Sequence, residues 1–125
     1  MALKVLVADD SDVMRKIILR NLRMAGVDVE ECYEARHGFE ALYHLSKDDV
    51  DLILSDINMP EMDGLEFIRK VRAMDLSKRV PIVVISSEGS EYMMREAMKA
   101  GADDFISKPF TPEKLKERLA RFIDQ

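Results

Sequence analysis

The sequence predicts an open α/β sandwich, a parallel sheet with helices packed on both faces. Short β-branched runs alternate with longer amphipathic segments along the whole chain, and the runs LILSD and IVVIS are apolar almost throughout. A strand that shows water neither of its faces reads as a continuous apolar run rather than an alternating one, as in a sheet covered on both sides. Strict alternation of strand and helix is the connectivity that covers it.

The elements follow in order. Lys4 to Ala8 reads as the first strand, and the segment after it places Val13, Ile17 and Leu22, with Met14 and Ile18, on one apolar face. Val29 to Tyr33 is the second strand, followed by a helix whose inward residues are Phe39, Leu42 and Leu45. Leu52 to Ser55 is the third, and Leu65, Ile68 and Val71 with Phe67 recur at helical spacing behind it. Pro81 to Ser86 is the fourth, followed by a less regular helix in which Tyr92 or Met93, Ala97 and Met98 face inward. Phe105-Ile106 is the fifth strand. In the last helix Thr111 can cap, Pro112 suits the first helical position, and Leu115, Leu119, Phe122 and Ile123 line the buried stripe. Five βα units use up the chain without repeat, linker or low-complexity tract, so a single domain over residues 1–125 is expected.

At 125 residues a domain buries roughly two thirds of its unfolded surface unaided, so neither disulfide nor structural metal is required. The composition, 47% hydrophobic and 34% charged, is that of a globular protein. A net charge of −5 and a pI near 5.1 argue against direct nucleic-acid binding, which calls for clustered Lys and Arg. Lys4 interrupts the only apolar run near the N-terminus, so a cytoplasmic protein with no membrane insertion is expected. The single cysteine, Cys32, has no partner thiol and reads as a packing residue. His37 and His44, in or near the second helix, read as surface or packing residues, and the nine methionines mostly as gap fillers, with Met93 and Met94 on the fourth helix excepted as candidates for a binding surface.

In open parallel sheets, ligands bind beyond the carboxyl ends of the strands, where the strand order reverses. The first strand ends in Asp9-Asp10, the third in Asp56, the fourth in Ser86-Ser87 and the fifth in Ser107-Lys108-Pro109. Any one of these could be a turn former or helix cap. Three carboxylates crowded on one rim repel unless a cation sits among them, and hard oxygen donors with open water positions suit Mg²⁺. A lysine on the same rim would pair with one carboxylate and still leave net negative charge for the metal. Mg²⁺, an ammonium and a hydroxyl can neutralise a transferring phosphoryl group while a carboxylate attacks in line. Asp56, on the central strand, is the expected nucleophile.

These residues resemble the response-regulator receiver family over essentially the whole chain, and within it the chemotaxis-type, CheY-like receivers. VLVADDSDVMR is similar to the family's first strand with its acidic pair, LILSDINMPEMDG to its phosphoacceptor strand and loop, PIVVISS to its switch-hydroxyl strand, and GADDFISKPFTPEKL to its lysine strand. The resemblance implies a flavodoxin-like (βα)5 three-layer sandwich with strand order 2-1-3-4-5. It implies that Asp56 accepts a phosphoryl group from a sensor histidine kinase. Mg²⁺, for which Mn²⁺ can substitute, would be held by Asp10, Asp56 and the main-chain carbonyl of Asn58, with Asp9 acting through water. Lys108 would contact the phosphoryl group, Ser86 would swing toward it, and the Lys108-Pro109 peptide would be cis. The aromatic switch partner is Phe105, which lacks the hydroxyl of a tyrosine. Asn58 and Glu88 resemble the positions that tune acyl-phosphate lifetime, and Ser87 departs from the commoner Ala or Gly.

The resemblance further implies a downstream target protein or motor switch, an auxiliary phosphatase, and either a monomer or a phosphorylation-dependent dimer. The expected partner surface is the fourth helix, fifth strand and fifth helix, with Tyr92, Arg95, Lys99, Phe105, Lys114 and Arg118 exposed. A signalling protein rather than an enzyme is expected, catalysing only its own phosphorylation and dephosphorylation. The closest competitor is a receiver cut from a longer regulator with a DNA-binding or enzymatic output domain. A haloacid-dehalogenase-type phosphatase is remote, because Asn58 stands where that class has a second Asp as general acid and no cap segment is present.

Overall fold

A computed structural model describes residues 2–123; Met1, Asp124 and Gln125 of the expected domain lie outside the described residues. Five strands, β1 (Leu3–Ala8), β2 (Val29–Ala35), β3 (Leu52–Ser55), β4 (Ile82–Ser86) and β5 (Asp104–Ser107), alternate with α1 (Asp12–Met24), α2 (Gly38–Lys47), α3 (Gly64–Ala73), α4 (Glu91–Ala100) and α5 (Pro112–Ile123). All pairings are parallel, and the sheet order is β2-β1-β3-β4-β5, the flavodoxin-like arrangement.

The two-residue period of the strands divides the core into two layers. Leu6, Ala8, Ile53, Ile82, Val84 and Phe105 point into one, where Ala41 and Leu45 of α2, Phe67, Ile68 and Val71 of α3, and Ala97 and Ala100 of α4 meet them. Val5, Val7, Leu52, Leu54, Val83, Ile85 and Ile106 point into the other, against Ile18 and Leu22 of α1 and Leu115 and Leu119 of α5. Both faces of β3 and β4 are therefore dry, as their unbroken apolar runs require.

Side-chain caps start each helix. Ser11, Asp63, Ser90 and Thr111 each accept a hydrogen bond from the backbone N–H three residues on, at 2.9–3.1 Å. His37 Nδ1 does the same for Glu40 N–H at 3.3 Å, so the structure gives this histidine a capping role.

Three helical faces differ from expectation. Val13 is 68% exposed and Ile17 40% exposed, because α1 packs through Arg15, Ile18 and Leu22 and the other two lie on the opposite side of the helix. Phe39 is 55% exposed, since α2 turns its small residues Gly38 and Ala41, with Leu45, to the sheet. In α4 the buried residues are Ala97 and Ala100, while Tyr92 and Met98 face water. The second strand runs two residues past Tyr33, because its pairing with β1 continues to Ala8 and Ala35. No helix among the described residues is long and apolar enough to cross a membrane.

Candidate functional site

Strand order reverses between β1 and β3, and there the acidic residues meet. The N–H of Asp56 donates to the carbonyl of Ala8 at 2.8 Å, and the N–H of Asp9 to the carbonyl of Ala35 at 2.9 Å. The ends of β1, β2 and β3 are thereby tied together. Carboxylate oxygens of Asp9, Asp10 and Asp56 all lie within 4.8 Å of one another. Asp9 is buried, Asp56 half-buried and Asp10 exposed.

Lys108 reaches this cluster from the end of β5. Its Nζ is 3.0 Å from Asp9 Oδ2 and 3.3 Å from Asp56 Oδ2, so it bonds two carboxylates where pairing with one was expected. The Lys108-Pro109 peptide is cis, as the family resemblance implied. Lys108 N–H donates to the carbonyl of Ser86 at 2.8 Å, which sets the β5 loop beside the end of β4. Ser86 is fully buried, and its Oγ accepts from Glu88 N–H at 3.0 Å. Across the mouth, Asn58 Nδ2 donates to Glu88 Oε1 at 3.4 Å, so these two exposed side chains touch each other.

Burial raises the pKa of the Asp56 carboxyl above its ordinary value, and the neighbouring Asp9 charge adds to the effect. The Lys108 ammonium and the Ile57 N–H, which donates to Asp56 Oδ1 at 2.7 Å, work against it. With all four groups ionised, three carboxylates face one ammonium, which leaves two negative charges over a few ångströms. The Asp10 carboxylate takes no hydrogen bond or ion pair from any described residue. Hard oxygen donors, a surplus of two charges and one unpartnered carboxylate at the open side fit a divalent cation that keeps several waters, which describes Mg²⁺.

The predicted partner surface is brought together only in part. Tyr92, Arg95, Lys99 and Lys114 are exposed. Phe105 is 3% exposed, because its register on β5 points the ring into the α4 side of the core, so its assignment as an exposed residue is corrected. Arg118 is half-buried: it donates to both carboxylate oxygens of Asp104, at 3.0 Å through Nε, and to the Phe105 carbonyl at 2.9 Å. It ties α5 to β5 rather than standing free.

That tie has a pH signature. Burial alone would raise the Asp104 pKa, but the Arg118 hydrogen bonds, with help from Phe105 N–H, hold it below its ordinary value of 3.8. A folded-state pKa below the unfolded one stabilises the fold above the ordinary carboxylate range, and the contribution is lost as pH falls through the lowered value. Asp104→Asn should cost about 1 kcal/mol in urea denaturation at pH 7, with the difference shrinking below about pH 4. A cost that stays the same at every pH would show that the carboxylate charge is not its origin.

Sequence reasoning missed two residues that shape the site. Gly64 opens α3 against the Asp56 backbone, where an added Cβ would lie 2.1 Å from the Asp56 carbonyl oxygen. Arg15 looks from its position like one more solvated helix charge, yet it is 7% exposed. The glycine could have been suspected from its place just after a helix cap; nothing in the sequence marks the arginine.

Comparison with known proteins agrees with this geometry. The family model of the response regulator receiver domain matches residues 5–120. A chemotaxis protein CheY homolog of Campylobacter jejuni is 46% identical over 118 residues, 94% of this chain and 89% of that protein. The solved structure of chemotaxis response regulator CheY4 of Vibrio cholerae superposes with a TM-score of 0.85 at 38% identity, covering 98% of this chain and 99% of that one. The receiver domain of sensor histidine kinase PA1611 of Pseudomonas aeruginosa, solved with a magnesium ion coordinated in its active-site cleft, gives a TM-score of 0.86 at 26% identity over the full length of both chains. The chain belongs to the response regulator receiver domain family and is a CheY-like member of it.

Proposed function

We propose that this chain accepts a phosphoryl group on Asp56 from the phosphohistidine of a sensor histidine kinase in a Mg²⁺-dependent transfer. The resulting shift in its conformational equilibrium modulates a partner protein in chemotaxis or flagellar motor control. The observation that carries the reading is the convergence of Asp9, Asp10 and Asp56 at the switch point of the sheet, with Lys108 bonded to two of them. CheY-like relatives at 46% identity support the pathway.

Asp10, Asp56 and the Asn58 carbonyl would hold Mg²⁺, with Asp9 engaged through water. The bound ion supplies charge neutralisation for the transferring group. An oxygen of Asp56 attacks phosphorus in line; the O–P bond forms as the P–N bond of the phosphohistidine breaks, and the imidazole leaves with the bonding pair. Lys108 is already within 3.3 Å of Asp56 Oδ2, so its ammonium can follow the new phosphoryl oxygens. Ser86, whose Oγ accepts from Glu88 N–H, would turn its hydroxyl proton toward them as donor. Phe105 is already packed inward, so its ring supports the active arrangement by packing alone. Asn58 and Glu88 screen the phosphoryl group from attacking water and set its lifetime. The domain works in the cytoplasm as a signalling protein that catalyses only its own phosphorylation and dephosphorylation.

Incubation with acetyl phosphate and Mg²⁺, borohydride trapping and peptide mass spectrometry should place the modification on Asp56 and make it depend on the metal; label on another residue, or none, would refute the reading. Phosphorylation can move a two-state equilibrium only by its difference in interaction energy between the states, and Lys108 supplies much of that difference. Lys108→Ala is therefore expected to keep measurable labelling while losing most of the phosphorylation-dependent amide chemical-shift changes around Ser86 and Phe105. A full set of those shifts in the labelled variant would remove Lys108 from the switch.

A further inference from the structure

The Asp10 carboxylate has no partner among the described residues, so its position is set by the backbone that carries it. That backbone is fixed in turn by Arg15. The Arg15 Nη1 donates to the carbonyl oxygen of Asp9 at 2.6 Å, which belongs to the peptide joining Asp9 to Asp10. Nε donates to Glu34 Oε1 on β2 at 2.9 Å, and Nη2 bonds Asp12 at the first turn of α1. The side chain is 8% exposed, and three separate elements meet on its rigid planar fork. The remaining groups of Asp9 are engaged elsewhere: N–H with the Ala35 carbonyl, Oδ1 with Ser11 N–H at 2.9 Å, and Oδ2 with Lys108. Only the carbonyl, which orients the Asp9–Asp10 peptide plane, depends on a side chain of α1.

We infer that Arg15 is a positioning residue for the divalent-metal cradle, holding the Asp9–Asp10 peptide so that the Asp10 carboxylate faces Asp56. The inference rests on the metal site proposed above and adds a residue that touches neither metal nor phosphoryl group. Its effect runs opposite to that of simple electrostatics. A cation near the cradle disfavours Mg²⁺, so on charge alone Arg15→Gln would bind the metal more tightly and Arg15→Lys would be unchanged. A positioning role requires both variants to bind more weakly, because an ammonium cannot span the Asp9 carbonyl, Asp12 and Glu34 together. Groups that orient metal ligands without touching the ion are typically worth about 10–100-fold in affinity.

The test is a Mg²⁺ titration of the whole chain followed by amide chemical shifts, which report the dissociation constant and the integrity of the fold in the same spectra. Lys16→Gln, which removes an exposed charge one position along, serves as the charge control, and Asp10→Ala as the ligand-loss control. Arg15→Lys is expected to weaken Mg²⁺ binding by roughly tenfold or more, with Arg15→Gln at least as weak and Lys16→Gln within about twofold of the unaltered chain. If Arg15→Gln fails to fold, Arg15→Lys decides alone. Unchanged binding in Arg15→Lys, or tighter binding in Arg15→Gln, overturns the positioning role and leaves the metal site standing. Absence of binding in the unaltered chain overturns the metal site, and this inference with it.

Discussion

Asp56→Asn is expected to abolish labelling by acetyl phosphate and, at the same time, to make the metal-free protein more stable. The first effect follows from chemistry. A neutral amide is not a nucleophile for phosphorus, and loss of the attacking group should lower the labelling rate on the order of 10³-fold or more. The second follows from the site's electrostatics. Burial and the Asp9 charge disfavour the ionised Asp56 carboxyl, as its raised pKa records, and Lys108 offsets this only partly. An amide of the same shape keeps an oxygen for the Ile57 N–H and loses the repulsion. A gain of roughly 1 kcal/mol, about 4 °C in Tm, is expected in EDTA at neutral pH. Mg²⁺ should reverse the order. A ligand at a hundred times its dissociation constant stabilises a fold by about 2.7 kcal/mol, and the variant, with one ligand fewer, should gain much less. If the variant is less stable than the unaltered chain in EDTA, the acidic cluster is not under electrostatic strain, and the argument for a metal loses its main support.

How far the sequence could be read depended on whether a residue's role is local. Strands β3 and β4 were legible to within a residue, since a strand buried on both faces has one compositional solution. The ends of β1, β3, β4 and β5 were legible to within a residue too, although β2 runs two residues past its expected end, and with them the convergence of Asp9, Asp10, Asp56, Ser86 and Lys108, because topology alone brings strand ends together. Helix faces were harder. Val13 and Ile17 look like core residues at helical spacing, but the face that α1 buries carries Arg15, Ile18 and Leu22 instead. Phe105 failed as an exposed residue because a two-residue strand assignment fixes no register, whereas the observed pairing of Val84 with Phe105 does. Arg118 failed because its role is defined by Asp104, fourteen residues away. Long-range pairing of charged side chains leaves no periodic trace.

Gly64→Ala should be the most destabilising small substitution in the loop that carries the site, although helix propensity predicts the reverse. Gly64 is the first residue of α3, and Ala is worth about 0.5–1 kcal/mol more than Gly within a helix. Space decides against it. A Cβ there would stand 2.1 Å from the Asp56 carbonyl oxygen and 2.7 Å from the Ile57 Cα, and both obstacles are backbone, which cannot rotate aside. Gly64 N–H also donates to the Ile57 carbonyl at 2.7 Å, so α3 cannot retreat without breaking that bond. Overpacking typically costs 1–3 kcal/mol; with no side chain free to yield, about 3 kcal/mol is expected, on the order of 10 °C in Tm. Gly26→Ala is the control: its φ of +87° carries conformational strain, but nothing lies within 4 Å of an added Cβ, so a cost of about 1–2 kcal/mol is expected. The Gly64 effect should also reach the chemistry, because the only relief is to move the peptide that carries Asp56. Folded Gly64→Ala protein should label more slowly with acetyl phosphate than Gly26→Ala at the same temperature. A Gly64→Ala chain as stable as the original would mean that the α3 N-terminus is free to shift, and that the close approach behind Asp56 does not hold the nucleophile in place.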